Sequence, residues 1–183
     1  MLQGKNVNLR LMEREDVDFI VQLRNDLDSN VYVSVKQMSK AEIMKEFDNP
    51  GPLALMTERT RFIIEKKDGT KIGYMTHWVV QPSRLVEIGY FMIPKERGKG
   101  YCSEAVQIIV DYLFLSKDIV RIQAGTDVRN KASQKVLENA GFVREGTIRK
   151  SAFNKGEWSD GYIYSILREE WTEPRILNKN PRS

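Results

Sequence analysis

Histidine and cysteine are almost missing from this chain: one of each occurs in 183 residues. With Cys102 alone, no internal disulfide can form, and a reducing cytoplasmic home is the expectation. With His77 alone, no Cys/His cluster exists to hold zinc, and no metal is expected. No run approaches the ~18 consecutive apolar residues that a membrane helix needs, so no membrane partner is expected. The opening residues, Met1-Leu2-Gln3-Gly4-Lys5, lack the apolar stretch of a secretory signal. Internal repeats, linkers and low-complexity tracts are also missing. The net charge is a modest +4. Its basic residues are interspersed with acids, as in Glu13-Arg14-Glu15-Asp16 and Arg168-Glu169-Glu170. A nucleic-acid binder shows a concentrated basic stripe interleaved with aromatics, and neither is seen, which argues against that class.

The chain is 41% hydrophobic and 30% charged, the composition of a globular domain. Its length fits one domain, taken as residues 1–171. The tail, residues 172–183, carries Pro174 and Pro181 and is expected to be loosely held. Residues 6–11 alternate apolar and polar side chains, a strand period, and residues 16–24 place Val17, Phe19, Ile20 and Leu23 at helical spacing. Ser39-Lys40-Ala41-Glu42 is a capping box opening a second helix, which Asn49-Pro50-Gly51-Pro52 ends. Between the two helices, residues 25–38 have no period and are expected to be mobile. Strands at 60–66 and 71–80 join at Asp68-Gly69, and Gln81-Pro82-Ser83 turns into a third run at 85–93. Gly89 inside that run suggests a bulge or the close approach of another backbone.

Residues 103–115 are apolar nearly all round, as suits a helix buried on a sheet. A strand at 119–124 follows, then a helix at 130–140 with Asn130 as N-cap and Gly141 at C′. In that helix Ala132, Val136, Leu137 and Ala140 are expected to face inward. Two last strands, 142–153 and 162–167, flank Asn154-Lys155-Gly156. The order β-αα-βββ-α-β-α-ββ calls for an α/β fold with one mixed sheet and helices on both faces.

One stretch carries chemistry: Pro94-Lys95-Glu96-Arg97-Gly98-Lys99-Gly100-Tyr101-Cys102-Ser103-Glu104-Ala105. A basic glycine loop runs from a strand into an apolar helix. Glycines let the backbone turn its N–H groups toward a ligand, and a helix start adds unpaired donors and a positive dipole end. That combination suits a phosphate-bearing, nucleotide-like ligand. A Walker loop is excluded because Lys99 is followed by Gly100, and a dinucleotide fingerprint because Ser103 stands where its third glycine would be. A glycine chosen for turn geometry alone is the competing reading.

Arg97-Gly98-Lys99-Gly100-Tyr101-Cys102 resembles the acetyl-CoA loop of the GNAT superfamily of N-acetyltransferases, Gln/Arg-x-x-Gly-x-Gly/Ala. The order of elements also resembles that fold over residues 5–170, whose sheet is twisted and mostly antiparallel. Glu87-Ile88-Gly89-Tyr90, Asn130-x-x-Ser133 and the 141–146 segment Gly-Phe-Val-Arg-Glu-Gly are similar to the RimJ/RimL-type branch. Cys102 departs from the Gly or Ala preferred at the loop's last position.

The resemblance implies acetyl-CoA as co-substrate and a primary amine as acceptor, either a protein N-terminus or a small molecule. It implies that Phe91, Met92 and Ile93 offer main-chain groups to pantetheine and the acetyl carbonyl. One of their N–H groups would serve as an oxyanion donor worth roughly 3 kcal/mol. Arg97, Gly98, Lys99, Gly100, Tyr101 and Cys102 would hold the pyrophosphate, and Asn130 and Ser133 would contact the cofactor arm. Ser133 would also protonate the departing thiolate. Plain alternatives stand beside these roles: core strand for 91–93, surface charge for Arg97 and Lys99, an N-cap for Asn130. Glu87 is the favoured general base, with Glu145 and Asp160 behind it and Tyr164 as an alternative acid. His77 is read as structural or as lining a substrate pocket. The segment 25–47 would shape acceptor choice through Asp26, Asp28, Glu42 and Glu46, and homodimer formation is left open. A catalytically silent CoA-binding sensor is the second functional class.

Overall fold

The computed structural model describes residues 1–27, 30–33, 37–48, 59–80 and 84–177. Eight strands form one sheet: β1 (Leu2–Gln3), β2 (Val7–Leu11), β3 (Thr60–Lys66), β4 (Lys71–Val80), β5 (Leu85–Met92), β6 (Arg121–Asp127), β7 (Val143–Asn154) and β8 (Glu157–Leu167). Four helices are described: α1 (Val17–Asn25), α2 (Lys40–Asp48), α3 (Tyr101–Ser116) and α4 (Lys131–Asn139). The expected order holds, with the two-residue β1 added at the edge. The sheet runs β1-β2-β3-β4-β5-β6-β8-β7. All pairs are antiparallel except β5–β6.

Local chemistry sets the boundaries. At the β3–β4 turn, Asp68 Oδ1 accepts from Thr70 N–H at 2.9 Å and Gly69 takes φ +83°. Ser39 and Glu42 cap each other at the start of α2, Ser39 N–H donating to Glu42 Oε2 at 2.8 Å. One sheet face packs α3 and α4 on a core that includes Val86, Ile88, Ile109, Leu113, Ile122 and Leu137. The other packs α1 and α2 on a smaller cluster around Ile20, Leu23, Ile43, Ile63 and Tyr74.

Several expectations change. Gly89 sits in unbroken register with Thr76, with no bulge against β4. The close approach occurs instead at Gly73, where a Cβ would overlap Phe91 O and Met92 Sδ. In α4 and its C-cap, Ala132 is exposed, while Val136, Leu137 and Ala140 face the core as expected and Gln134 joins them. The expected stops at 49–52 and 81–83 lie outside the described residues.

Two segments expected to be loose are pinned where they are described. Asn25 bonds both ways with Met38, and buried Asn30 donates Nδ2–H to Leu23 O at 2.8 Å, satisfying the last turn of α1. In the tail, Asp111 on α3 is 1% exposed and accepts from Trp171 Nε1 and the main-chain N–H groups of Arg175, Ile176 and Leu177. The tail is thus fastened to the core as far as residue 177, because a buried carboxylate needs donors and the tail main chain supplies them.

Asp16 is the matching anchor on the other side. Burial raises its proton affinity, but hydrogen bonds from Arg10 and Lys71 and the Glu13 N–H outweigh this and hold the carboxyl at about 2. Arg10 reaches it through two bonds of 2.9 and 3.0 Å. A folded-state value below the ordinary 3.8 stabilises the fold above that pH, and the contribution is lost as pH falls toward 2. Asp16→Asn is therefore expected to cost about 2 kcal/mol at pH 7 and to flatten stability between pH 4 and 2. Urea melts across that range provide the check.

Candidate active site

The site begins with the one parallel pair. β5 and β6 are in register only at Leu85↔Arg121, Val86↔Ile122 and Glu87↔Gln123. Beyond Glu87, β5 stays on β4 to Met92 while β6 stays on β8 to Asp127. The sheet therefore splays between them.

Two hydrogen bonds fix which main-chain groups face that gap. Ile93 N–H donates to Ile72 O at 3.0 Å, toward β4, and Val120 N–H donates to Arg84 O at 2.9 Å, toward β6. With no register break from residue 85 to 92, odd residues of β5 turn their N–H and C=O to β4 and even residues turn theirs away. Past the split, the groups turned toward the gap are those of Ile88, Tyr90 and Met92. Met92 C=O accepts from Arg97 Nε at 3.0 Å. Of the three residues expected to offer main chain, Met92 turns its groups toward the gap, its C=O being taken by Arg97. Phe91 and Ile93 turn theirs to β4, because strand alternation allows only every second residue to face one side. Tyr90 takes the open position and was missed as a site residue, since the bulge expected at Gly89 obscured the phase.

A cavity of about 570 Å³ opens on this gap. Its wall includes Tyr90, Phe91, Met92, Arg97, Gly98, Gly100, Tyr101, Cys102, Asn130 and Ser133. Of the expected contacts, Ile93 and Lys99 stand outside the wall, and the Lys99 ammonium is bound to Glu96 at 2.9 Å. Gly98 and Gly100 have φ of +75° and +84°, and a Cβ at either would stand in open space. Gly100 N-caps α3 with no side-chain hydrogen bond, so the first-turn N–H groups have no acceptor within the helix. The opposite wall is residues 30–33, held by Asn154 Nδ2–H on Val31 O and by Arg129 lying 5.7 Å from the Tyr32 ring.

Asn130 caps α4 by accepting from Ser133 N–H at 3.1 Å. That bond fixes the first turn, and Ser133 Oγ then lies 2.9 Å from Tyr90 Oη. Burial pushes the Tyr90 hydroxyl far above its ordinary range, so it stays protonated. Burial likewise raises the Cys102 thiol to about 12, with Arg97 pulling the other way.

The remaining candidates separate. Glu87 lies on the other sheet face and accepts from Gln123 Nε2 at 3.1 Å. Hydrogen bonds from Arg121, then Ser165, hold Glu145 at about 2. Asp160 accepts from Lys150 N–H at 2.8 Å, and Tyr164 is buried, donating to Glu138 Oε1 at 3.0 Å. His77 is 1% exposed in the core, stacked on Phe62 and facing Tyr112, and stands outside the wall of this cavity. Among the described residues no group of three or more His, Cys, Asp or Glu could hold a metal, and no helix is long and apolar enough to cross a membrane.

A splayed mixed sheet with a glycine loop opening a helix at the split defines an α/β fold with a ligand cleft between its two central strands. The chain belongs to the acetyltransferase (GNAT) domain family, whose model matches residues 6–143, and is an N-acetyltransferase of that acetyl-CoA-dependent family. It is 34% identical over 175 residues to the uncharacterized N-acetyltransferase p20 of Bacillus licheniformis, covering 93% of this chain and 97% of that one. The crystal structure of spermidine N-acetyltransferase from Vibrio cholerae in complex with CoA and spermine superposes with a TM-score of 0.82 at 24% identity, over 92% of this chain and 99% of that one. Ribosomal-protein-S5-alanine acetyltransferase from Vibrio fischeri gives 0.79 at 23% identity, over 93% and 98%. At these identities the two structures speak to the fold alone.

A thiol at about 12 leaves a thiolate fraction of only ~10⁻⁴ at pH 8. Cys102 is expected to resist iodoacetamide at pH 8 until the protein is unfolded. Stoichiometric labelling of the native protein within minutes, read by mass spectrometry, would contradict this burial argument.

Proposed function

We propose that this chain moves the acetyl group of acetyl-CoA to a primary amine, a protein N-terminal α-amine or a small-molecule amine, in the manner of the RimJ/RimL-type branch. The observation that carries the reading is one continuous gap. Main chain left unpaired on β5 leads straight to the uncapped start of α3. The fit to the co-substrate is specific at both ends. An extended amide-bearing arm suits the main-chain groups that Tyr90 turns to the gap and the Met92 N–H. A pyrophosphate suits the open space at Gly98 and Gly100, the first-turn N–H groups of α3 and the Arg97 guanidinium.

Bound acetyl-CoA supplies an activated acyl group as a thioester. Within the chain, Asn130 orients Ser133 by capping α4, and Ser133 holds a proton at Oγ for a departing sulfur. Tyr90 fixes that hydroxyl through its own buried one. Glu87 takes the proton of the attacking amine, directly or through water. An α-amine of ordinary pKa about 8 asks less of that base at neutral pH than a lysine of about 10.4.

Titration calorimetry with acetyl-CoA is expected to give micromolar binding. Arg97→Glu with Gly100→Glu is expected to abolish it while circular dichroism stays native, since two carboxylates then face the phosphates. No heat from the wild-type protein at high micromolar cofactor sinks the reading. Ser133→Ala is expected to keep acetyl-CoA affinity and to lower kcat about 10²-fold. Unchanged kcat in a thiol-release assay would remove Ser133 from the proton path.

A further inference from the structure

We propose that Lys135 on α4 receives the ribose 3′-phosphate of the co-substrate, and so makes this chain select CoA thioesters over their dephospho counterparts. Such a subsite rests on the acetyltransferase reading, and it lies in the part of the cavity to which that reading assigns no charged group of the ligand.

The main-chain gap beside β5 suits the arm, and the loop with the start of α3 suits the pyrophosphate. The wall that remains is α4. Ala132, Lys135, Val136 and Asn139 line the cavity. Their spacing of three and four residues turns one stripe of the helix toward it. Gln134 and Leu137, on the other side of α4, are buried. Ser133, whose Oγ meets Tyr90 Oη at 2.9 Å, marks the end of the stripe nearest the gap. At the far end Gln107 of α3 donates Nε2–H to Asn139 O at 3.1 Å and joins the two helices. Ser133 and Asn139 are about 9 Å apart along the helix axis. Over that length the cavity is walled by α4 on one side and by Tyr101, Cys102 and Ser103 in the first turn of α3 on the other. The result is a wedge, open toward the loop and closed at Gln107 and Asn139. A nucleotide held by its pyrophosphate at the start of α3 has its nucleoside end beside this wedge.

Charge decides what the wedge takes. The cavity wall carries two cations, Arg97 and Lys135, and one carboxylate, Glu96. Glu96 is already answered: Lys99 Nζ lies 2.9 Å from Oε2 and Lys66 Nζ 3.8 Å from Oε1. Arg97 stands at the loop, with its Nε–H on Met92 O. Lys135 is exposed, and among the described residues no hydrogen bond or ion pair engages its ammonium. Its charged neighbours one turn away are engaged elsewhere. Lys131 Nζ lies 3.4 Å from Gln134 Oε1, and Glu138 accepts from Tyr164 Oη at 3.0 Å. An ammonium left unanswered on the wall of a nucleotide-shaped wedge suits an anion. The loop, the α3 start and Arg97 suffice for the pyrophosphate, so the anion left over is the 3′-phosphate, a monoester of charge about −1.5 to −2 at neutral pH. Adenine and ribose bring no other charge.

Titration calorimetry on the whole chain with CoA and with dephospho-CoA, which differ only in the 3′-phosphate, provides the test. CoA is expected to bind about tenfold more tightly, the scale of one charge-assisted contact open to solvent. In 0.5 M NaCl the ratio should fall to about threefold, a readout that needs no variant. Lys135→Gln should bring the ratio below about twofold while the dephospho-CoA affinity stays put. Lys131→Gln removes the same charge from the same helix outside the cavity wall, and it should leave the ratio as in the wild type. Equal affinity of the wild-type protein for the two ligands overturns the inference, as does a ratio that survives in Lys135→Gln. A ratio lost equally in Lys131→Gln overturns it too, because the effect is then general charge. So does a parallel loss of dephospho-CoA affinity in Lys135→Gln, because the lysine then serves the pyrophosphate. Binding of neither ligand by the wild-type protein strikes the acetyltransferase reading instead.

Discussion

Everything functional in this molecule depends on β6 being unable to follow two partners at once. β8 holds β6 along seven residues and β4 holds β5 along eight, so the short parallel contact between β5 and β6 gives way after Glu87. Unpaired main chain in a sheet interior is costly unless a ligand or water pairs with it. The sheet accepts that cost at one place and aims it at the glycine loop. Gap, loop and the start of α3 then form one surface because β5 leads into the loop through a single 3₁₀ turn at Pro94–Glu96.

Buried carboxylates hold the rest of the frame around that opening. Glu104, in the first turn of α3, accepts from Asn6 N–H and Nδ2 and from Val7 N–H, tying β2 to the helix that begins at the loop. Asp111 ties the C-terminal segment to the middle of the same helix, and Asp16 ties β2 to β4 through Arg10 and Lys71. Each acts on a chain end or an edge, where hydrophobic burial is thin and a directed contact decides position. The α3 start is thereby fixed against both flanks, which a pre-formed anion site requires.

The split also gives the two sheet faces separate work. One face, with α3 and α4, carries the cavity, Tyr90, Cys102 and Ser133. The other, with α1 and α2, carries Glu87 and Gly89. They communicate only where β5 and β6 part. A donor entering from one side and an acceptor from the other would meet there without either crossing the sheet.

The elements themselves were legible because their signals are local. The alternation of residues 7–11, the Asp68-Gly69 turn, the Ser39–Glu42 box and the Asn130 and Gly141 caps each act within a few residues and needed no partner. Residues 97–102 likewise showed a glycine loop running into a helix, a backbone suited to an anion, with turn geometry alone as the competing reading. Three matters were settled only in three dimensions. The phase of β5 depended on its register with β4, so Tyr90 replaced Phe91 and Ile93 at the gap. The fate of charges depended on neighbours distant in sequence: Lys99 turned to Glu96, and Glu145 was held by Arg121. The face that carries Glu87 followed from the same register with β4. Sequence determined which segments form and where a glycine loop meets a helix start, since those follow from bonds within one turn. Tertiary structure decided which groups meet, since strand register and buried ion pairs join residues tens of positions apart.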